Sequence, residues 1–150
     1  LDVLKQSLLL NNLQAKKRKI SLNIEAQEAI PMITMDSSKI EQVITNLVSN
    51  AIEHSGPDSH VDVNLQVVNS DISFSVKDQG PGIAAEELDR LFKPFVKIST
   101  KKMGGEKSTG LGMLITRKII EAHQGRIWVE SEVGQGTSVF FTLPLERKTR

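Results

Sequence analysis

The hydrophobic period of this chain changes once, and abruptly, in its first half. Ile40, Val43, Ile44, Leu47, Val48 and Ala51 recur at intervals of three and four, the spacing of one helix face. Beyond Gly56 and Pro57 the interval becomes two. Val61, Val63, Leu65 and Val67 alternate with other residues, as do Ile72, Phe74 and Val76, and Asn69 to Asp71 between them carry hairpin-turn chemistry. A helix with one apolar stripe and a hairpin with one apolar face bury both only when the helix lies on the sheet. Asp36 or Ser37 caps the helix, with Glu41 in its first turns.

The flanking segments follow the same logic. Leu1, Leu4 and Leu8 run at helical spacing toward the basic cluster Lys16 to Lys19, which suits a helix C-terminus. Ser21 to Glu25 alternates as a strand, and Met32 to Met35, after Pro31, predicts a second short one. Glu86 to Leu91 predicts a short helix, and Leu111, Leu114, Ile115 and Ile119 a longer one that Gly125 closes. Ile127 to Glu130 and Val139 to Leu143 predict a final hairpin. The expected class is α+β: a two-layer α/β sandwich with helices on one face of a mixed, mostly antiparallel sheet. Residues 19–145 make one domain, after a helical segment at 1–18 and before a charged tail at 146–150.

Composition narrows the function. A chain of 150 residues that is 39% hydrophobic supports one core. Lys and Arg number 19 against 18 Asp and Glu, so no global field points to nucleic acid or an anionic membrane. No apolar run approaches the ~18 residues of a membrane span. With no cysteine, disulfides, thiolate metal sites and a cysteine nucleophile are excluded, and a reducing compartment is the expectation. The chain starts without Met, as a piece cut from a longer protein would, and on its own is expected to be a monomer.

Chemistry concentrates in three places. Asn46 and Asn50 stand one helical turn apart, with Gln42 and Glu53 on the same polar edge, although Asn is a mediocre helix former. Downstream, Asp78-Gln79-Gly80-Pro81-Gly82-Ile83 ends a strand in a lone carboxylate. Such a group accepts a hydrogen bond from an exocyclic amine, as adenine carries, while glycines admit a close ligand and Pro81 stiffens the turn. Third, Thr109, Gly110, Leu111 and Gly112 open a helix, where free N–H groups suit a phosphate. The loop before it, Val96 to Thr109, carries Lys97, Lys101, Lys102 and Lys107 and is long enough for a lid. Together they read as a nucleotide pocket.

In this order the segments resemble the ATP-binding catalytic domain of sensor histidine kinases, a branch of the Bergerat-fold superfamily that also holds gyrase. Asn46 to Ser55 looks like the N box, Asp78 to Ile83 the first glycine box, Leu91-Phe92-Lys93-Pro94-Phe95 the phenylalanine box, and Thr109 to Met113 the second glycine box. The run Ile119 to Ser131 with Gly134, Gly136 and Thr137 is similar to the histidine-kinase branch in particular.

The resemblance implies ATP and Mg²⁺ as ligands. Asn50 would hold Mg²⁺ against the phosphates, Asn46 would line the phosphate region, and Asp78 would read the adenine amine over a floor shaped by Gly80, Gly82 and Ile83. Gly110, Leu111 and Gly112 would lie under the phosphates, with Lys107 and Thr109 beside them and Phe92 and Phe95 anchoring the lid. Thr137 joins the ATP-binding set, and His54 takes a packing role there. Where the hydrolysing relatives place a water-activating glutamate, this chain has Asn46, so slow hydrolysis is expected. The γ-phosphoryl group would then pass to a histidine on a separate dimerisation domain, and indirectly to a response regulator, in a cytoplasmic setting whose parent can be membrane-anchored. None of His54, His60 and His123 has the acceptor setting; His60 is expected in a loop, and His123 is read as structural, a cationic ring suiting a helix C-terminus. Glu53 and His54 depart from the Lys and aromatic residue frequent in the family, and Glu53 receives no role. Two other readings stay open: a protein-serine kinase of the anti-sigma type, and a nucleotide-binding scaffold without transfer.

Overall fold

The computed structural model of the chain describes residues 2–88, 91–92 and 112–146. The described elements are α1 (Asp2–Lys17), β1 (Ser21–Ala26), α2 (Ser37–His54), β2 (His60–Val68), β3 (Asp71–Lys77), α3 (Ala85–Leu88), α4 (Gly112–Ala122), β4 (Arg126–Glu132) and β5 (Gly136–Pro144). The strands form one sheet in the order β1-β2-β3-β5-β4. β1 runs parallel to β2 and every other pairing is antiparallel, so the sheet is mixed and mostly antiparallel, as expected.

Register decides which side chains enter the core. Val63 stands opposite Val76 and Phe74 opposite Phe141, and all four are buried. The Phe74 and Phe141 rings stack with centroids 4.8 Å apart. The intervening Asp62, Asn64, Ser73 and Ser75 fall on the other face by the two-residue period. Ile40, Val43, Ile44, Leu47 and Val48 of α2 are buried as the stripe predicts, each contributing about 1.5–3 kcal/mol by leaving water. A two-residue turn, with Asn69 at φ 57°, joins β2 to β3.

Asp36 caps α2, its side chain accepting from the Lys39 N–H at 3.2 Å. His123 ties that cap to the end of α4. Its Nε2 accepts from the Asp36 N–H at 3.0 Å, and its Nδ1 donates to the Ile119 carbonyl at 2.8 Å. The expected cationic ring is thereby corrected, because a ring nitrogen that accepts carries no proton, and this geometry needs the neutral tautomer.

α1 packs on α2. Leu4, Leu8 and Ala15 join the core, Ser7 and Asn11 are buried with them, and Gln14 Oε1 accepts from Ser49 Oγ at 3.2 Å. Arg18 donates to the Glu53 carbonyl at 3.3 Å.

Three expectations about elements are corrected. Residues 32–35 form no strand: Ile33 and Met35 pack on the core and Met32 is 99% exposed, but no described strand lies alongside to complete a ladder. The short helix is described over Ala85–Leu88, and Leu91, expected at its end, lies in a turn. His60 opens β2 instead of sitting in a loop.

Candidate functional site

Six residues singled out in the sequence line one cleft between α2, the turn after β3 and the start of β5: Asn50, His54, Asp78, Gly82, Ile83 and Thr137. Leu47, Ala51, Val76, Val139, Leu91, Met113 and Pro81 complete its walls. Mostly apolar walls with a few convergent polar groups suit a flat heteroaromatic ring.

Asp78 follows β3 directly and is 6% exposed. Its Oδ1 accepts from the Gly80 N–H at 2.8 Å and the Thr137 N–H at 3.1 Å, while its own N–H donates to the Thr137 carbonyl at 2.9 Å. Among the described residues none donates to Oδ2. Burial pushes the carboxyl up from its ordinary value, and the Gly80 and Thr137 N–H groups, with the charge of His54, pull part of that shift back.

The turn that carries Asp78 is clamped to the β4–β5 hairpin. Gly134 N–H donates to the Pro81 carbonyl at 2.8 Å, and Ile83 N–H donates to Ser131 Oγ at 2.7 Å. Glycine is required at two points of this clamp. Gly82 has φ 79° and Gly136 φ 91°, and a Cβ would collide with the Glu132 carbonyl at the first and the Asp78 carbonyl at the second.

The α2 side chains divide by helical angle. Asn50 faces the cleft, its Nδ2 in a weak 4.0 Å contact with Met113 Sδ. His54 Nδ1 lies 2.7 Å from the Asn50 carbonyl, which can only accept, so that nitrogen carries the hydrogen. Asn46 stands beside the cleft, its Nδ2 donating to Thr116 Oγ1 at 3.1 Å, against the Gly112 backbone that starts α4. Glu53 is buried, while Gln42 is exposed, so the polar edge drawn from the helical wheel is divided between interior and solvent.

Other expected site residues fall elsewhere. Gly80 backs onto the His54 carbonyl, outside the cleft wall. Phe92 lies under Arg117, whose guanidinium carbon is 5.5 Å from the ring centroid, in a second groove with Leu88 and Trp128. Phe95, Lys107, Thr109, Gly110 and Leu111, with Lys97, Lys101 and Lys102, lie outside the described residues.

Residues 35–147 match the family described as histidine kinase-, DNA gyrase B-, and HSP90-like ATPase. The chain belongs to that ATPase family. It is 41% identical over 117 residues to the sensor protein kinase WalK of Staphylococcus saprophyticus, a match covering 75% of this chain and 19% of WalK. The chain therefore spans about a fifth of that relative. Among solved structures of the family, the catalytic domain of histidine kinase ThkA is 30% identical with a TM-score of 0.83, covering 96% of this chain and 92% of that one. ThkA has also been solved in complex with the response regulator protein TrrA. Full-length ShkA in complex with AMPPNP is 25% identical with a TM-score of 0.83 over 99% of this chain and 30% of that one. The family's histidine-kinase branch, and not the serine-kinase alternative, is where these similarities fall.

Proposed function

We propose that this domain binds Mg-ATP and donates the γ-phosphoryl group to a histidine on a separate dimerisation domain of its parent protein. The observation that carries the reading is the Asp78 carboxylate: buried, held through Oδ1 by two backbone N–H groups, and lining an apolar cleft whose opposite wall carries Asn50. A fixed acceptor of this kind suits an exocyclic amine, and an analogue lacking the amine leaves a buried carboxylate unpaired. The ShkA neighbour, solved with an ATP analogue, supports the same assignment.

The residues fit a magnesium ion in one limited sense. Asn50 offers a hard oxygen to the cleft, and among the described residues no group of three or more acidic, His or Cys side chains could hold a metal ion. Mg²⁺ is commonly held by one or two protein oxygens together with substrate phosphates and water, so Asn50 would be its protein ligand. The ion would neutralise phosphate charge. Asn46 hydrogen-bonds Thr116, and a carboxamide is no base, so water is not activated from that position and the phosphoryl group is kept for transfer.

The opening segment, residues 1–18, would carry the connection from the acceptor domain, while 19–145 hold the nucleotide and 146–150 form a charged tail. A response regulator is the proposed downstream partner, as TrrA partners ThkA. Among the described residues no helix is long and apolar enough to cross a membrane, and a cytoplasmic location is proposed for this domain.

Calorimetric titration with a non-hydrolysable ATP analogue plus Mg²⁺, and separately with the GTP analogue, tests the binding half. Adenine-specific binding is the expected result, and none up to millimolar ligand would sink the reading. Labelling the acceptor domain from ATP tests the transfer half. Phosphate lost in acid marks histidine, acid-stable phosphate marks serine, and no label leaves a scaffold.

A further inference from the structure

The second groove shares no lining residue with the nucleotide cleft and runs along an edge of the sheet. Among the described strands β4 stands last in the order, so β5 pairs with one of its sides only. Five consecutive residues, Gly125 to Val129, line the groove. A strand that met a groove with its face would contribute alternate residues, so it is the backbone edge of β4 that borders the space. The direction of its polar groups follows from the register. The Thr137 carbonyl accepts from the Asp78 N–H, so Thr137 faces β3, and by alternation Ser138, Phe140 and Thr142 turn their backbone groups toward β4. Their partners there are Glu130, Trp128 and Arg126. Ile127 and Val129 therefore point their N–H and C=O groups away from β5 and into the groove, where among the described residues no hydrogen-bond partner meets them.

We propose that this edge is a docking site for an extended, acidic segment of a partner protein, which adds to β4 as a further strand. An unpaired edge takes up such a segment through main-chain hydrogen bonds, while flanking pockets choose its side chains. Here the flanks are shaped and charged. The groove holds about 540 Å³, within the roughly 300–1,000 Å³ of cavities that enclose a ligand. Leu88 and Phe92 form one wall, and Arg117 and Glu121 of α4 form another. The Arg117 guanidinium carbon is 5.5 Å from the Phe92 ring centroid and its Nε is 2.7 Å from Glu121 Oε1, so the guanidinium is held at that wall. On the β4 side the exposed Arg126 lies over Trp128, 5.6 Å from the ring centroid. Among the residues that line the groove, two guanidinium groups face one carboxylate, which Arg117 already pairs, so the rim is cationic. A carboxylate is what a guanidinium fork receives best, and the Phe92 and Trp128 rings with Leu88 receive the apolar side chains between. A basic segment would meet like charge on both sides, and a helix would leave the Ile127 and Val129 backbone groups unmatched. The occupant is therefore both extended and acidic.

Random peptides displayed on phage are panned against the unmutated chain, and the enriched sequence is synthesised and its binding measured by fluorescence anisotropy. Enrichment of alternating apolar and acidic residues is expected. Val129→Pro removes a groove-facing N–H that the β4–β5 ladder does not use, and an edge strand tolerates proline. The variant should therefore keep its circular dichroism spectrum and bind the peptide about tenfold more weakly. Arg126→Glu should also weaken binding about tenfold, and a peptide with lysine in place of its acidic residues should recover that loss on this variant alone. A library that yields no enrichment overturns the proposal. So does an enriched peptide that binds Val129→Pro as tightly as the unmutated chain, or one without acidic residues that ignores Arg126→Glu. Sedimentation of the unmutated chain as a dimer that Val129→Pro dissolves would seat a second copy on the edge, and would overturn it too. Should Val129→Pro fail to fold, the charge exchange at Arg126 decides, and a lysine peptide that recovers nothing overturns the proposal.

Discussion

The two ends of the cleft are held by different kinds of interaction. Around Asp78, backbone pairs with backbone and with side chains at 2.7–3.1 Å: Gly80, Thr137, Ile83, Ser131, Pro81 and Gly134 all take part. Around Asn50, the described contact of the side chain is a 4.0 Å approach to Met113 Sδ, while its carbonyl meets His54 Nδ1 at 2.7 Å, and Asn46 is tied by one bond to Thr116. The tight end is where a flat base with fixed donors and acceptors must be recognised, and preorganised groups there need no rearrangement on binding. At the looser end, a flexible triphosphate and an ion bring their own charge and their own oxygens. Shape is set by the protein at one end and completed by the ligand at the other.

Changes at the two ends should therefore differ in kind. The largest effect belongs to Gly136→Ala, where a positive φ and a collision with the Asp78 carbonyl coincide; a loss of about 3 kcal/mol or more in stability is expected from urea unfolding. A variant as stable as the parent would show that the clamp yields easily.

Next is Asp78→Asn, expected to lower ATP-analogue affinity about a hundredfold with or without Mg²⁺, because an amide nitrogen would face the amine. Its stability should match or exceed that of the parent, since desolvation of the carboxylate is removed. The sign of the pH dependence follows from the raised pKa. The folded state holds the Asp78 proton more tightly than the unfolded chain does, so this group's contribution declines as pH rises through the two pKa values and is constant above them. The stability difference favouring Asp78→Asn should accordingly widen as pH rises through the carboxyl range and then level off. Thermal unfolding against pH reads this directly, and a gap that widens toward acid would contradict it.

Smallest is Asn50→Ala, expected to cost about tenfold in affinity with Mg²⁺ and little without it. Equal loss with and without the metal would erase the contrast between the two ends.

Much of this was legible in the sequence because period alone carries it. The stripe from Ile40 to Ala51 and the alternation in β2 and β3 predict a helix on a sheet, and Asp78 with its glycines marks the turn that bears the site. Single residues without a pattern were not legible. Ser131 is one hydroxyl in a strand, and only the fold brings Ile83 and Thr137 to it. Val76 and Val139 look like any core residues until a cleft opens beside them. Glu53 follows the polar edge by helical angle, yet it is buried where Arg18 reaches its carbonyl, and no local rule foretells where a separate helix will dock. Met32 to Met35 is apolar at three of its four positions and still makes no strand, because a strand needs a neighbour as well as apolar residues.

The seating of α1 has a mechanical meaning. Its inner row, Leu4, Leu8 and Ala15, interlocks with the same core that supports the cleft, and Arg18 latches its end to α2. A helix gripped along its length cannot spin in place without prising side chains out of a close-packed interior. Force applied to its leading end therefore reaches the core that backs the cleft.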